Sequence, residues 1–125
     1  MKHEDNEKFS LDNFLSKYKD DLKSGLDSIT IESLEEIANI LESAITSRST
    51  IFTCGNGGSS AIAEHFVCDF LKGTSMDTSI QPVIHSLTSN TPTITAIAND
   101  IDYSEIFSYQ IKKYGSAGDI LLSIS

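Results

Sequence analysis

Three short stretches of this sequence carry residue types that can do chemistry. The first is Cys54-Gly55-Asn56-Gly57-Gly58-Ser59-Ser60. Glycines accept positive φ and let a ligand approach the backbone closely. A turn of this kind opening a helix aims free N–H groups and the positive helix end at one point, beside the hydroxyls of Ser59 and Ser60. An anion such as phosphate suits that arrangement. The spacing is neither the P-loop, which needs Gly-Lys-Ser/Thr, nor the dinucleotide GxGxxG. Without that lysine, ATP hydrolysis is not expected. Spacing alone leaves equally open a tight strand-to-helix turn with serine caps and no ligand.

The second stretch pairs His65 with Asp69. An i, i+4 pair shares one helix face, with Cβ atoms about 5–6 Å apart. Imidazole and carboxylate together could bind a divalent ion such as Zn²⁺ or act as acid and base on a carbonyl sugar. A surface pair that only supports its helix has the same spacing, and catalytic zinc keeps three protein ligands. Glu64 points elsewhere and reads as solvated. The third stretch is Asn99-Asp100, where Asn also suits the left-handed stop of a helix. His85 reads as a packed core histidine within a strand, His3 as part of a polar tail, and Phe66, Phe70 and Leu71 as core.

The elements that must position these residues are legible from periodicity. Residues 1–10 read as a disordered tail. Leu11, Phe14, Leu15, Tyr18, Leu22, Leu26 and Ile29 recur at helical steps. Thr30 then reads as the N-cap of a second helix with Ile31, Leu34, Ile37, Leu41 and Ile45 on one stripe, ending near Arg48. Thr50–Cys54 is a short β-rich run entering the glycine turn, followed by a helix from Ala61 to about Leu71 and a polar loop over Gly73–Asp77. Gln81–Leu87 predicts a second strand, and Pro92 starts a helix to about Ala98. Asp102 and Glu105 have capping-box spacing for a helix running to Tyr114, and Ile120–Ile124 predicts a third strand. Strands alternating with helices imply right-handed βαβ units and a doubly wound parallel α/β sheet. The expected organisation is a tail over 1–10, a helical pair over 11–48 and a βαβ core over 50–125, cut off after the third strand.

Composition narrows the partners. With 39% hydrophobic and 22% charged residues the chain reads as an ordinary globular protein. Nine basic against 18 acidic residues give a net charge of −9, which argues against nucleic acid or an anionic membrane as partner. The polar start, Met1–Lys8, has no signal-peptide pattern, and no apolar run approaches the ~20 residues of a membrane span. Cys54 and Cys68 form no CxxC pair and read as two buried thiols of a reducing, cytoplasmic compartment.

The run CGNGGSSAIAEHF, followed by LTSNTPTITAIANDIDYSEIFSYQIKKYGSAGDILLSIS, resembles the phosphoheptose isomerases of the sugar isomerase (SIS) superfamily. The resemblance implies a flavodoxin-like three-layer αβα SIS domain. It further implies conversion of sedoheptulose 7-phosphate to D-glycero-D-manno-heptose 7-phosphate in bacterial heptose and lipopolysaccharide synthesis. Asn56, Gly57 and Gly58 match the family's substrate-binding turn and Ser59 its phosphate-side serine. His65 matches the zinc-binding histidine, and Asp69 falls at the catalytic, metal-binding glutamate. Asn99 and Asp100 match a substrate-contacting pair, and Ser125 opens the Ser-Thr-Ser phosphate loop. A homotetramer assembled through the N-terminal helices is implied as well. Two departures stand out. Asp69 is one methylene shorter than Glu, shifting base and metal geometry by roughly an ångström or more, and the remaining phosphate-loop, Gln and His groups lie beyond Ser125. Some SIS relatives are non-catalytic regulators, one of which associates with a replication initiator, and the Asp in place of Glu makes that the rival expectation.

Overall fold

A computed structural model of the chain describes residues 10–125. The tail expected over residues 1–10 lies outside them except for Ser10, which is an N-cap: its Oγ accepts from Asn13 N at 3.4 Å. The chain forms two compact units, one reaching to Ala38 and one from Asn39 to Ser125.

The first unit holds helix α1 (Leu11–Asp27) and the start of α2 (Ile31–Ser47). Thr30 caps α2 as its sequence predicts, accepting from Ser33 N at 3.2 Å. The apolar stripe of α1, including Leu11, Leu15, Tyr18, Leu22 and Leu26, is exposed.

The second unit is built on a parallel sheet of β1 (Thr50–Gly55), β2 (Val83–Ser86) and β3 (Ile120–Ile124), in the order β2-β1-β3. Between them run α3 (Gly58–Cys68), α4 (Thr91–Asp100) and α5 (Ser108–Tyr114). β1 is central, so both its faces are covered and Ile51 to Gly55 are all buried, as a β-branched apolar run in a parallel sheet requires. Alternation sends Ile51 to one side, with Ala44, Ile84 and the flanking Leu41, Ile45, Phe66 and Phe70 of α2, α3 and the turn after it. Phe52 and Cys54 go to the other side with Leu87, Phe107 and Ile111. These are the three layers expected. Burying a side chain such as Ile51, with no exposed surface, stabilises the fold by about 1.5–3 kcal/mol. Thr53, equally buried, keeps its hydroxyl satisfied by donating to Ala63 O at 3.0 Å, which stitches β1 to α3.

Several expectations are corrected, each for a local reason. α3 starts at Gly58, ends at Cys68 and widens into a π-helical turn over Asp69–Gly73. The extra residue per turn rotates Leu71 outward, to 59% exposure, while Phe66 and Phe70 stack at 4.4 Å against the core. Cys68 is exposed and only Cys54 is buried. β2 is four residues long and lies at the sheet edge, so His85 is exposed and meets Phe52 at 6.4 Å instead of packing in a core. The capping box does not close. Asp102 accepts from Ser104 N at 2.8 Å and caps a 3₁₀ turn, Tyr103–Glu105, and Glu105 bonds to Ser108 Oγ and Lys112, so α5 begins only at Ser108. Among the described residues no helix is long and apolar enough to cross a membrane.

Candidate functional site

The glycine turn leaves β1 at its C-terminal end. Gly55 has no freedom to be another residue: a Cβ there would lie 2.7 Å from Ser59 O and 2.8 Å from Ile124 O. Gly57 has φ 57° and ψ −126°, a conformation that L side chains resist. The first turn of α3 is closed by Ser59 N donating to Asn56 O at 3.0 Å and Ser60 N to Gly57 O at 3.2 Å. Ser60 Oγ also donates to Gly57 O, at 2.7 Å, so this hydroxyl braces the turn.

Beside the turn lies a cavity of about 260 Å³, lined by Gly55, Asn56, Ser59, Phe107, Ser123, Ile124 and Ser125. It sits at the C-terminal ends of β1 and β3, which pair there as Gly55 with Ile124. In the order β2-β1-β3 the chain winds from β1 to one side and then to the other, so β1/β3 is the switch point where doubly wound sheets bind ligands. Of the residues singled out in the sequence, Asn56, Ser59 and Ser125 meet in this cavity, whereas Gly57 and Gly58 do not line it. Ser123 and Phe107 line it too and were not anticipated. A lone serine within the apolar run Ile120–Ile124 was the available signal for the former.

His65 and Asp69 are placed apart from that cavity. With Ala61, Ile62 and Phe66 they line a shallow groove on the exposed side of α3. His65 Nε2 stands 3.5 Å from Asp69 Oδ1, with both side chains largely exposed, so as a plain ion pair it would stabilise little. Asp69 opens the π-helical turn, a feature frequent at functional sites. Asn99 and Asp100 lie at the end of α4, hydrogen-bonded to each other at 2.7 Å, and line neither pocket. Glu64, expected to be solvated only, accepts a 3.4 Å hydrogen bond from the buried Thr88, whose hydroxyl also meets Ser86 Oγ at 2.6 Å.

The donors of His65 and Asp69 fit part of a zinc site. Two ligands each about 2.0–2.1 Å from a tetrahedral zinc stand about 3.3 Å apart, close to the 3.5 Å observed. Among the described residues, however, no His, Cys, Asp or Glu joins them as a third ligand.

Residues 14–125 match the sequence profile of the SIS domain family. The chain belongs to the SIS domain family. Curated relatives of this SIS domain include the phosphoheptose isomerase of Shewanella loihica, 45% identical over 94 residues, or 75% of this chain and 47% of the relative. That of Alteromonas mediterranea is 40% identical over 103 residues, 82% of this chain and 52% of the relative. Solved structures similar to it include phosphoheptose isomerase GmhA from Neisseria gonorrhoeae, at a TM-score of 0.76 and 29% identity, covering 93% of this chain and 61% of that one. A phosphoheptose isomerase from Francisella tularensis matches at 0.80 and 29%, covering 94% and 62%. The SIS domain described here therefore spans about half the length of the curated relatives it matches.

Proposed function

We propose that this SIS domain holds the phosphate end of a seven-carbon sugar phosphate and belongs to an isomerase that converts sedoheptulose 7-phosphate to D-glycero-D-manno-heptose 7-phosphate. The observation that carries the reading is the cavity at the β1/β3 switch point. Its polar lining, Asn56, Ser59, Ser123 and Ser125, is uncharged and rich in hydroxyls, and it adjoins the start of α3. Such a lining suits a phosphate held by hydrogen bonds and the helix dipole. Asn99 and Asp100 are proposed to meet the sugar once it is bound.

In this reading Asp69 takes the proton from the carbon next to the carbonyl. The carbonyl oxygen is protonated to give an enediol, with a histidine outside the described residues as the acid. Asp69 then returns its proton to the former carbonyl carbon as the neighbouring hydroxyl loses its own, leaving the aldehyde. Atoms and charge balance, and no redox partner is needed. His65 and Asp69 would contribute two ligands to zinc, with the others from outside the described residues, and bound zinc would supply polarisation of the sugar oxygens. The exposed apolar stripe of α1 supports assembly as a homotetramer through the N-terminal helices. Two unpaired cysteines, one of them exposed, support a reducing cytoplasm.

A second reading, a non-catalytic phosphosugar-binding regulator, is favoured by one feature: the shorter Asp69 stands on an exposed π-helical turn. Turnover of sedoheptulose 7-phosphate and zinc content of the protein decide between them. Turnover with bound zinc is the expected result. Phosphosugar binding without turnover establishes the regulator, and absence of phosphosugar binding removes both.

A further inference from the structure

A second cavity, of about 530 Å³, opens on the sheet face covered by α5. It shares no residue with the cavity at the β1/β3 switch point. Phe52 and Leu87 supply apolar walls; His85, Asn90, Lys113 and Tyr114 supply polar ones. The volume lies in the range of small-molecule sites.

Its chemistry is unusual for this chain. The protein carries a net charge of −9, yet no carboxylate lines the cavity. Lys113 makes no ion pair among the described residues. Its Nζ rests 5.5 Å from the Tyr109 ring centre, while the neighbouring Lys112 is the one that pairs with Glu105. In a chain with twice as many acidic as basic residues, an ammonium that lines a partly apolar hollow and has no carboxylate partner among the described residues is a place for an anion. The ring of His85, exposed at the sheet edge and tilted by 37° to Phe52, gives a flat aromatic surface next to it. Asn90 already accepts from Thr93 N through its side-chain oxygen, so its amide N–H₂ remains to donate.

We infer that this cavity binds a small aromatic anion, an aromatic ring joined to a phosphate, with the ring on His85 and Phe52 and the anionic group at Lys113. The inference does not depend on the isomerase reading, since it concerns different residues. Calorimetric titration of the full chain with adenosine 5′-monophosphate tests it, with adenosine and inorganic phosphate as controls. The nucleotide is expected to bind one per chain, and adenosine at least tenfold more weakly. Lys113→Met should weaken the nucleotide at least tenfold with the helical circular dichroism unchanged, and His85→Ser should weaken it as well. Ser59→Ala, in the other cavity, should leave it within twofold. No nucleotide binding at millimolar concentration overturns the inference, as does equal binding by parent and Lys113→Met. Inorganic phosphate that competes with the nucleotide and binds as tightly removes the aromatic part, and loss of nucleotide binding in Ser59→Ala moves the ligand to the first cavity; either result refutes the assignment.

Discussion

Three glycines within four positions, Gly55, Gly57 and Gly58, are predicted to respond to alanine in three different ways, and the structure sets each sign. At Gly55 the new Cβ would stand 2.7 Å from Ser59 O and 2.8 Å from Ile124 O, well inside the 3.4 Å at which ordinary contact begins. Both atoms are backbone, one in the first turn of α3 and one in β3, so neither yields by a rotamer change. Overpacking typically costs about 1–3 kcal/mol, and the two-sided clash puts Gly55→Ala near 3 kcal/mol. At Gly57 nothing lies within 4 Å, but φ is +57°, so alanine costs about 1–2 kcal/mol in backbone strain alone. At Gly58 there is open space and no positive φ. Alanine there should stabilise by about 0.4–1 kcal/mol through the unfolded chain.

Urea unfolding followed by far-ultraviolet circular dichroism reads all three. With a slope of about 1–3 kcal/mol/M, Gly55→Ala should lower the midpoint by about 1–3 M and Gly58→Ala should raise it slightly. Gly55→Ala should also weaken sugar-phosphate binding, because relief of the clash must part Ser59 from Ile124, both of which line the cavity. A Gly55→Ala midpoint equal to that of the parent would mean that α3 and β3 are not packed on this turn as described. Gly55→Ala and Gly58→Ala shifting together would refute the steric reasoning.

Asp69→Asn is expected to remove at least ~10²-fold of isomerase turnover, the low end for loss of acid–base catalysis, with phosphosugar affinity changed much less and Asp69→Glu retaining activity; equal rates for parent and Asp69→Asn would take Asp69 out of the mechanism. Thr53→Val keeps the shape but loses the bond to Ala63 O, and should cost about 1 kcal/mol in the same unfolding assay. Asp119 accepts from Thr50 N and Ser116 N, both at 2.7 Å, and these bonds hold its carboxyl below the ordinary 3.8. A lowered folded-state value means that the stability it contributes is complete above 3.8 and is lost as pH falls through the folded value. Asp119→Asn should therefore unfold at a lower midpoint at neutral pH and show a shallower acid limb, and parallel pH curves for the two proteins would exclude this role.

Local pattern made the framework readable. The apolar stripe Ile31–Ile45, the β-branched run Thr50–Cys54 and the run Ile120–Ile124 became α2, β1 and β3 with boundaries within a residue or two. What the pattern missed depends on neighbours distant in sequence or on a change of helical pitch. The π-helical turn at Asp69 reversed the side on which Leu71 lies. The edge position of β2 exposed His85, which a central strand would have buried. Asp102 accepts from Ser104 N, one residue nearer than capping-box spacing assumes, and Glu105 turns forward to the Ser108 hydroxyl instead of back to Asp102. In the candidate site, Asn56 and Ser59 were legible because one turn holds both. Ser123 and Phe107 required the pairing of β1 with β3 and the return of α5, which no local window contains.

The two halves of the candidate chemistry rest on different physical supports, and that separation has a consequence for substrate binding. The switch-point cavity is framed by β1 and β3, and Gly55 is wedged against both α3 and β3. No lysine or arginine lines it, so an anion there is met by hydroxyls, amides and the dipole of an 11-residue helix. A chain of net charge −9 can thus hold a phosphate without a fixed cation. His65 and Asp69 stand further along the same helix, on its exposed side, where the helical pitch changes. In the proposed reading the phosphate lies at the start of α3 and the carboxylate of Asp69 stands ten residues beyond Ser59, roughly 15 Å along the helix at about 1.5 Å per residue, so anchoring and proton transfer rest on opposite ends of one helical segment.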